Sequence, residues 1–290
     1  MSTASSSPSV SGAKGSDGAA FENEVRRGER FEFGRNWASF LRTLDEGRIA
    51  EAEKSLREML QLERLDGLRF LDAGSGSGLF SLAARRLGAE VVSFDYDPQS
   101  VACTTELKRR FFAEDPRWRI ERGSILDGGF LASVGTFDVV YSWGVLHHTG
   151  RMWDAMQNAS NLVRSSGRLF IAIYNDEGWK SRAWLRVKRL YCSGIVGRAI
   201  VTAAFVPLFT AVEVAKSIAT GTNQFAAYRR SRGMSRYHDW IDWLGGYPFE
   251  VASVWRVQEF YESRGFSLEN LRTTKRMGCN QFVFRRAAGA

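Results

Sequence analysis

Three glycines spaced by single residues, Gly74-Ser75-Gly76-Ser77-Gly78, follow the short apolar run Arg69-Phe70-Leu71-Asp72 and precede a helical stretch, Leu79 to Leu87. Glycine lets a backbone turn sharply and come close to a ligand. A strand that enters a helix through such a turn opens a βαβ unit, and the rhythm continues. Val91 to Phe94 is a second strand ending at Asp95, and Pro98 opens the next helix, where proline is tolerated. Trp118 to Glu121 and Phe137 to Tyr141 are the third and fourth strands. Met152, Met156, Ala159 and Val163 form a helical stripe. Gly167 then turns into a fifth strand, Arg168 to Tyr174. Alternation of this kind implies right-handed crossovers and a parallel sheet with helices on both faces.

The rhythm stops after Asn175 and returns with a helix from Ser253 to Arg264 and strands at Phe266 to Arg272 and Gln281 to Arg285. Ahead of the first strand, Ile49, Ala52, Leu56, Met59 and Leu60 mark an amphipathic helix from Gly47 to Leu62, which Gly67 is expected to end. The expected fold is α/β: a Rossmann-like, seven-stranded, mostly parallel sheet flanked by helices. An N-terminal helical segment precedes it, and a helical lid is inserted after the fifth strand. The expected divisions are a disordered Ser/Gly/Ala-rich tail at 1–20, a helical cap at 21–66 and a ligand-binding core at 67–174. A helical and aromatic lid follows at 175–250, then the closing helix and strands at 251–290.

Within the insertion, Ile195 to Ala215 is strongly apolar. Only fourteen uncharged residues lie between Arg198 and Glu213, with Pro207 among them, whereas a spanning helix needs roughly 20 apolar residues. The segment is read as a buried helix pair of the lid, with peripheral membrane contact through 195–215 as the alternative. The formal charge is +8. The basic clusters Lys108-Arg109-Arg110, Arg182 to Arg189 and Arg229 to Arg236 are not interleaved with aromatics, so they are read as solvated helix faces rather than a nucleic-acid strip. Cys103, Cys192 and Cys279 match no metal spacing and are expected to be free thiols. The first residues lack an apolar run of the secretory kind, and the expected location is cytoplasmic.

Seventeen residues after Gly78, Asp95 ends the second strand, where a carboxylate can accept both ribose hydroxyls of an adenosine. The spacing is G-x-G-x-G and not the G-x-G-x-x-G of nicotinamide dinucleotide sites. Asp72, two residues ahead of the glycines, suits the cationic end of S-adenosylmethionine (SAM) better than a pyrophosphate. On Asp72, Gly74, Gly76, Gly78, Asp95 in Phe94-Asp95-Tyr96-Asp97-Pro98, and Gly123-Ser124-Ile125-Leu126-Asp127, the chain resembles the class I SAM-dependent methyltransferases. Phe137-Asp138-Val139-Val140 followed by Val145-Leu146-His147-His148 is similar to the branch that includes the ubiquinone and menaquinone methyltransferases. The resemblance implies SAM as cofactor, held by Asp72, Gly74, Ser75, Gly76, Gly78, Asp95 and Tyr96, by Ser124, Ile125 and Leu126 around the adenine, and by Trp143. Many relatives carry Asp where Ser124 stands, which favours a backbone contact from Ile125.

Methyl transfer needs the nucleophile held in line and, for a hydroxyl acceptor, help in losing a proton. His147 and His148, just past the fourth strand, are candidate bases, with His148 expected to be the more exposed. His238, beside Asp239, is a third. Tyr237, His238, Trp240 and Tyr247 are candidate substrate contacts in an aromatic lid. Phe31, Phe33 and Trp37 form either the opposite lip of the pocket or a staple onto the sheet. No acidic cluster suggests a metal site. The expected function is methyl transfer to a hydroxyl of a small organic acceptor: a phenol, quinol, sugar or natural product. Methylation of carbon or nitrogen, of a lipid-like quinone, or of RNA or protein is the alternative.

Overall fold

The computed structural model describes residues 13–223, 236–274 and 278–289, with side chains from residue 20 onwards, those of Arg35, Arg236, His238, Asp239 and Asp242 excepted. Three helices come first: α1 (Ala13–Arg26), α2 (Gly34–Leu41) and α3 (Glu46–Leu60). The core then alternates β1 (Arg69–Ala73), α4 (Leu79–Arg86), β2 (Glu90–Asp95), α5 (Pro98–Phe112), β3 (Trp118–Arg122), α6 (Gly128–Val134), β4 (Phe137–Trp143), α7 (Met152–Asn161) and β5 (Val163–Tyr174). Next come α8 (Trp179–Cys192), α9 (Ile195–Thr220) and α10 (Arg236–Gly245), and the chain closes with α11 (Val254–Glu262), β6 (Phe266–Arg272) and β7 (Cys279–Arg286). Helix therefore begins at Ala13, inside the segment whose composition predicted a tail.

The seven strands lie in the order β3-β2-β1-β4-β5-β7-β6. The first five pair in parallel, and β7 runs antiparallel between β5 and β6. The chain's direction of travel across the sheet reverses between β1 and β4, and ligands of open α/β sheets bind outside the strand ends at that point. One face is covered by a cluster that includes Leu131, Met156, Tyr261 and Phe282, the other by one that includes Leu56, Leu82, Leu107 and Trp118.

Local chemistry explains most boundaries. Asp45 caps α3 by accepting from Arg48 N, and the helix ends on Gln61 in a left-handed conformation instead of running to Gly67. Asp97 caps α5, with Pro98 in its first turn, and Asp127 caps α6. The fifth strand starts at Val163 rather than Arg168. Val163 pairs with Phe137 before a register shift, and Gly167 lies where a Cβ would come within 3.0 Å of Asp138 O.

The apolar segment of the insertion departs most from expectation. It is one continuous 26-residue helix with Pro207 inside it, not a pair. Proline removes one internal hydrogen bond, and the helix carries through. Nor is it buried: only 11% of its most apolar window is. Its inner face meets α8 and α10 through Val201, Phe205 and Phe209, in a small cluster with Tyr191 and Leu244.

Candidate active site

The site lies at the carboxyl edge of β1, β4 and β5. The amides of Gly74 and Ser75 both donate to Phe94 O, at 2.8 and 3.0 Å, which pins the glycine turn to the end of β2. Gly74 has φ +85°, and a Cβ there would meet the Val145 side chain at 2.4 Å. Only glycine satisfies both demands. Gly78, also at positive φ, leads directly into α4.

Two carboxylates frame this turn. Asp95 is half-buried; its Oδ2 accepts from Gly76 N and its Oδ1 from Asp97 N, both at 2.9 Å. Burial raises its pKa to about 6, against the opposing effect of the Gly76 amide. Asp72 is buried and accepts from Ser81 Oγ at 2.5 Å. Burial raises it to about 7, opposed by the Ser81 hydroxyl and reinforced by the charge of Asp95. Behind Asp72 runs a directed chain. The Trp118 indole N–H donates to Ser93 Oγ at 2.9 Å, and Ser93 and Ser81 hydroxyls lie 2.7 Å apart. An indole only donates, and with Asp72 ionised Ser93 donates to Ser81 and Ser81 to Asp72; once protonated, the Asp72 carboxyl can itself donate.

The N-terminal segment covers this turn. Gly34 N donates to Asp97 Oδ2 at 2.8 Å. The Trp37 indole lies where a Cβ on Gly76 would come within 3.1 Å. Tyr96 donates its hydroxyl to Glu24 and packs edge-on against Phe21. Tyr96 is thus held by α1, and Trp37 packs on the loop itself. Ser124 Oγ accepts from Leu126 N, fixing the turn after β3, and Ile125 is buried. Trp143, at the end of β4, is exposed.

The two histidines sit in a single turn, Leu146–His148. His147 is fully buried against Tyr174, ring centroids 4.1 Å apart. Its ring nitrogens make no hydrogen bond of ordinary geometry among the described residues, with the Ala172 backbone near enough to favour the charged form weakly. Burial holds its pKa well below the usual value, with the neighbouring His148 and Lys188 adding to the effect. His148 is slightly more open, at 9% exposure. Its Nδ1 lies 2.6 Å from Pro248 O. A carbonyl only accepts, so Nδ1 carries the proton and Nε2 the lone pair. Burial lowers its pKa to about 3, against the Pro248 bond and with help from the Lys188 and Arg30 charges. Lys188 is itself fully buried; its Nζ donates to Trp243 O and stands 4.3 Å from the Trp243 ring centroid and 4.9 Å from that of Phe249.

Beside the histidines opens a cavity of about 370 Å³, within the size range of small-molecule sites. Five rings, of Phe33, Tyr174, Phe209, Trp240 and Trp243, form most of its wall. Val212, Glu213 and Lys216 from α9 complete it, the last two joined by an ion pair at 3.0 Å. Phe33 and Tyr174 also flank His148, with ring centroids 5.0 and 5.5 Å from it.

Of the four lid residues singled out in the sequence, Trp240 lines this cavity. Tyr237 lines a separate surface groove with Tyr191 and Arg198. Tyr247 packs beside the Arg189 guanidinium and accepts from Phe31 N through its carbonyl. His238 falls in α10, but its side chain lies outside the described residues. Sequence reasoning passed over Tyr174, Phe209, Glu213 and Lys188. Tyr174 had a signal, since it ends a strand at the ligand-binding edge. Glu213 had one too, as the first acid after a long apolar run. Lys188 had none, because nothing in a basic helix says which lysine turns inward. Among the described residues no three of His, Cys, Asp or Glu come together as metal ligands would.

A sheet of this order, with a glycine turn at its switch point and an acid ending its second strand, is the arrangement of the class I SAM-dependent methyltransferase fold. Residues 71–169 match the family described as a methyltransferase domain. The chain is 32% identical over 125 residues to a ubiquinone biosynthesis O-methyltransferase of Rhizobium johnstonii, covering 42% of this chain and 48% of that protein. It is 34% identical over 111 residues to one of Methylocella silvestris, covering 38% and 41%. The chain thus spans less than half the length of these relatives. Two solved structures share its fold. One is a magnesium protoporphyrin IX methyltransferase from Synechocystis with bound SAH (TM-score 0.50, 15% identity, 83% of this chain and 84% of that one). The other is an O-methyltransferase family protein from Burkholderia thailandensis (TM-score 0.53, 13% identity, 96% and 70%).

The donor set fits SAM. Two carboxylates stand at one sheet edge, their ionisation opposed by burial and by a like charge, that of Asp95 on Asp72 and that of Asp97 on Asp95. A ligand that brings hydroxyl donors and positive charge offsets both effects.

Proposed function

We propose that this protein transfers the methyl group of SAM to a hydroxyl of a small, ring-bearing organic acceptor held in the aromatic cavity. One observation carries the reading: the cavity and the glycine turn open at the same sheet edge, and Phe33 and Tyr174 belong both to the cavity wall and to the surroundings of His148. SAM, when bound, supplies a methyl carbon made electrophilic by its sulfonium.

The protein's own residues do the rest. Asp95 accepts the ribose hydroxyls, and Asp72 provides negative charge at the other end of the turn. Ser124 and Ile125 shape the adenine end. The rings of the cavity wall hold a flat acceptor and exclude water, so its hydroxyl is presented in line. His148 accepts a hydrogen bond from that hydroxyl through Nε2. At a pKa of about 3 it does not ionise the acceptor beforehand. Moving a proton to it from an un-ionised phenol is steeply uphill. As the acceptor oxygen bonds to the methyl carbon and the carbon–sulfur bond of the sulfonium breaks, the acceptor hydroxyl becomes strongly acidic and its proton passes to His148 Nε2, whose earlier contribution is orientation.

The test is a transfer assay with methyl-labelled SAM and a panel of phenols, quinols, amines and a host extract. Label in organic-soluble O-methyl products supports the reading. Label only in nuclease- or protease-sensitive material would overturn it in favour of a macromolecular acceptor. In the same assay Asp95→Ala is expected to weaken SAM binding about 100-fold, the loss of two charge-assisted hydrogen bonds. Calorimetric titration reads this directly.

A further inference from the structure

α9 presents an apolar stripe to the outside along its whole length. Val196, Ile200, Ala203, Pro207, Val214 and Ile218 recur at intervals of three, four or seven residues, and every one of them is exposed. Ile195, at the start of the helix, is 88% exposed and Ile218, near its end, 79%. At about 1.5 Å per residue the helix is roughly 39 Å long. By length and composition it could cross a membrane. Its other face, however, is committed to the protein: Gly197, Val201 and Glu213 are buried, and Phe205 and Phe209 pack on Trp184 of α8. A helix packed along one side and apolar on the other lies in an interface rather than through it.

The charge nearby has one sign. Arg182, Arg186 and Arg189 recur along the exposed side of α8, which pairs with α9, and Arg198 stands near the α9 N-terminus. None of these four has a carboxylate partner among the described residues. Between Asn175 and Glu250 there are eleven Lys and Arg against six Asp and Glu. A two-fold contact with a second copy would set this cationic, apolar surface against itself. Anionic headgroups over hydrocarbon complement both features at once.

We propose that α8 and α9 dock this protein on anionic lipid bilayers, with the outer stripe of α9 sunk to the level of the acyl boundary and the arginines among the headgroups. Phe209, Val212, Glu213 and Lys216 of α9 also wall the aromatic cavity, so docking sets that cavity beside the membrane, where acceptors dissolved in lipid are concentrated. The docking itself stands whether or not the acceptor assignment does.

The test is co-sedimentation of the full chain with vesicles of phosphatidylcholine alone or mixed with phosphatidylglycerol. The wild type is expected to partition onto the mixed vesicles, less onto neutral ones, and less again as salt rises. Ile200→Asp combined with Val214→Asp is expected to lower that partitioning at least about tenfold. The single change Ala203→Asp, which removes no packed atom, moves it the same way. Circular dichroism and melting of these variants should match the wild type. Replacing Arg182, Arg186 and Arg189 with Ala should erase the preference for the anionic lipid. The proposal is overturned if the wild type stays in the supernatant with both vesicles, or if the aspartate variants sediment as the wild type does. It is equally overturned if the stripe instead sustains a dimer, seen by light scattering, that Ile200→Asp dissolves without any vesicle binding.

Discussion

The sheet core and the inserted helices obey opposite surface rules. In the core, cations meet carboxylates: Arg85 holds Asp115 at 2.6 Å, Arg168 holds Glu269 at 2.7 Å and Arg164 holds Asp138 at 3.0 Å. Its large apolar side chains, such as Phe70, Phe170 and Phe282, are fully buried. In α8 and α9, arginines stand without carboxylates and isoleucines face outward. The charge count says the same: the insertion holds a five-charge excess, and the rest of the chain only three. Exposed apolar residues scattered singly are ordinary, but a continuous stripe marks an interaction surface. One chain thus carries two kinds of surface: paired charges around the core, and an apolar stripe beside arginines without carboxylates on the insertion.

Three measurements can break or sharpen that contrast. The largest effect is expected at the sheet centre. Phe170→Ala empties a site with no exposure and should cost about 3–5 kcal/mol in denaturant unfolding. A loss near 1 kcal/mol would mean the core is far looser than its burial implies.

The next effect is electrostatic. Asp72 and Asp95 titrate near 7 and 6 when folded, against 3.8 when free. A raised acid favours the folded state while protonated, and that advantage is lost as pH rises through the folded pKa. The ligand-free protein should therefore lose a few kcal/mol of stability between about pH 4 and 7 from this pair. Asp72→Asn should flatten the profile, and unfolding followed across pH for both proteins reads the difference. Identical profiles would remove Asp72 as a stored cost that a cationic ligand relieves. The smallest effect belongs to the insertion: Ile200→Asp, at an exposed position, should change unfolding free energy by less than about 0.5 kcal/mol. A loss comparable to that of Phe170→Ala would show that the stripe is packed in solution, and would erase the contrast.

How much of this was legible beforehand follows the same division. Core elements announce themselves locally: a capping Asp before Pro98, glycines between Asp72 and Leu79, and alternation of short apolar runs with helical stripes. Their signals sit within a few residues of their effects. The loop and Asp95 were readable as partners because the fold brings one strand end beside the next. The insertion offered only apolarity, and apolarity does not say whether a helix hides in protein or faces outward. The segment 195–215 reads as a buried helix pair, whereas α9 is continuous and largely exposed. The cavity was legible only in part, since Phe33, Tyr174, Phe209 and Trp243 come from four separate segments. The aromatic density around α10 singles out Trp240, which lines the cavity, together with Tyr237 and Tyr247, which lie elsewhere.

The chain of donors from Trp118 through Ser93 and Ser81 to Asp72 gives the domain a longer reach than its contact surface suggests. Its indole end is fixed, because Trp118 can only donate, while its far end follows the protonation of Asp72. Trp118 lies on β3, two strands from the glycine turn, and would be scored as packing by any count of what touches a ligand. Yet its indole donates to the Ser93 hydroxyl that meets Ser81. The boundary of the active site, drawn by influence and not by distance, therefore runs to the far edge of the sheet.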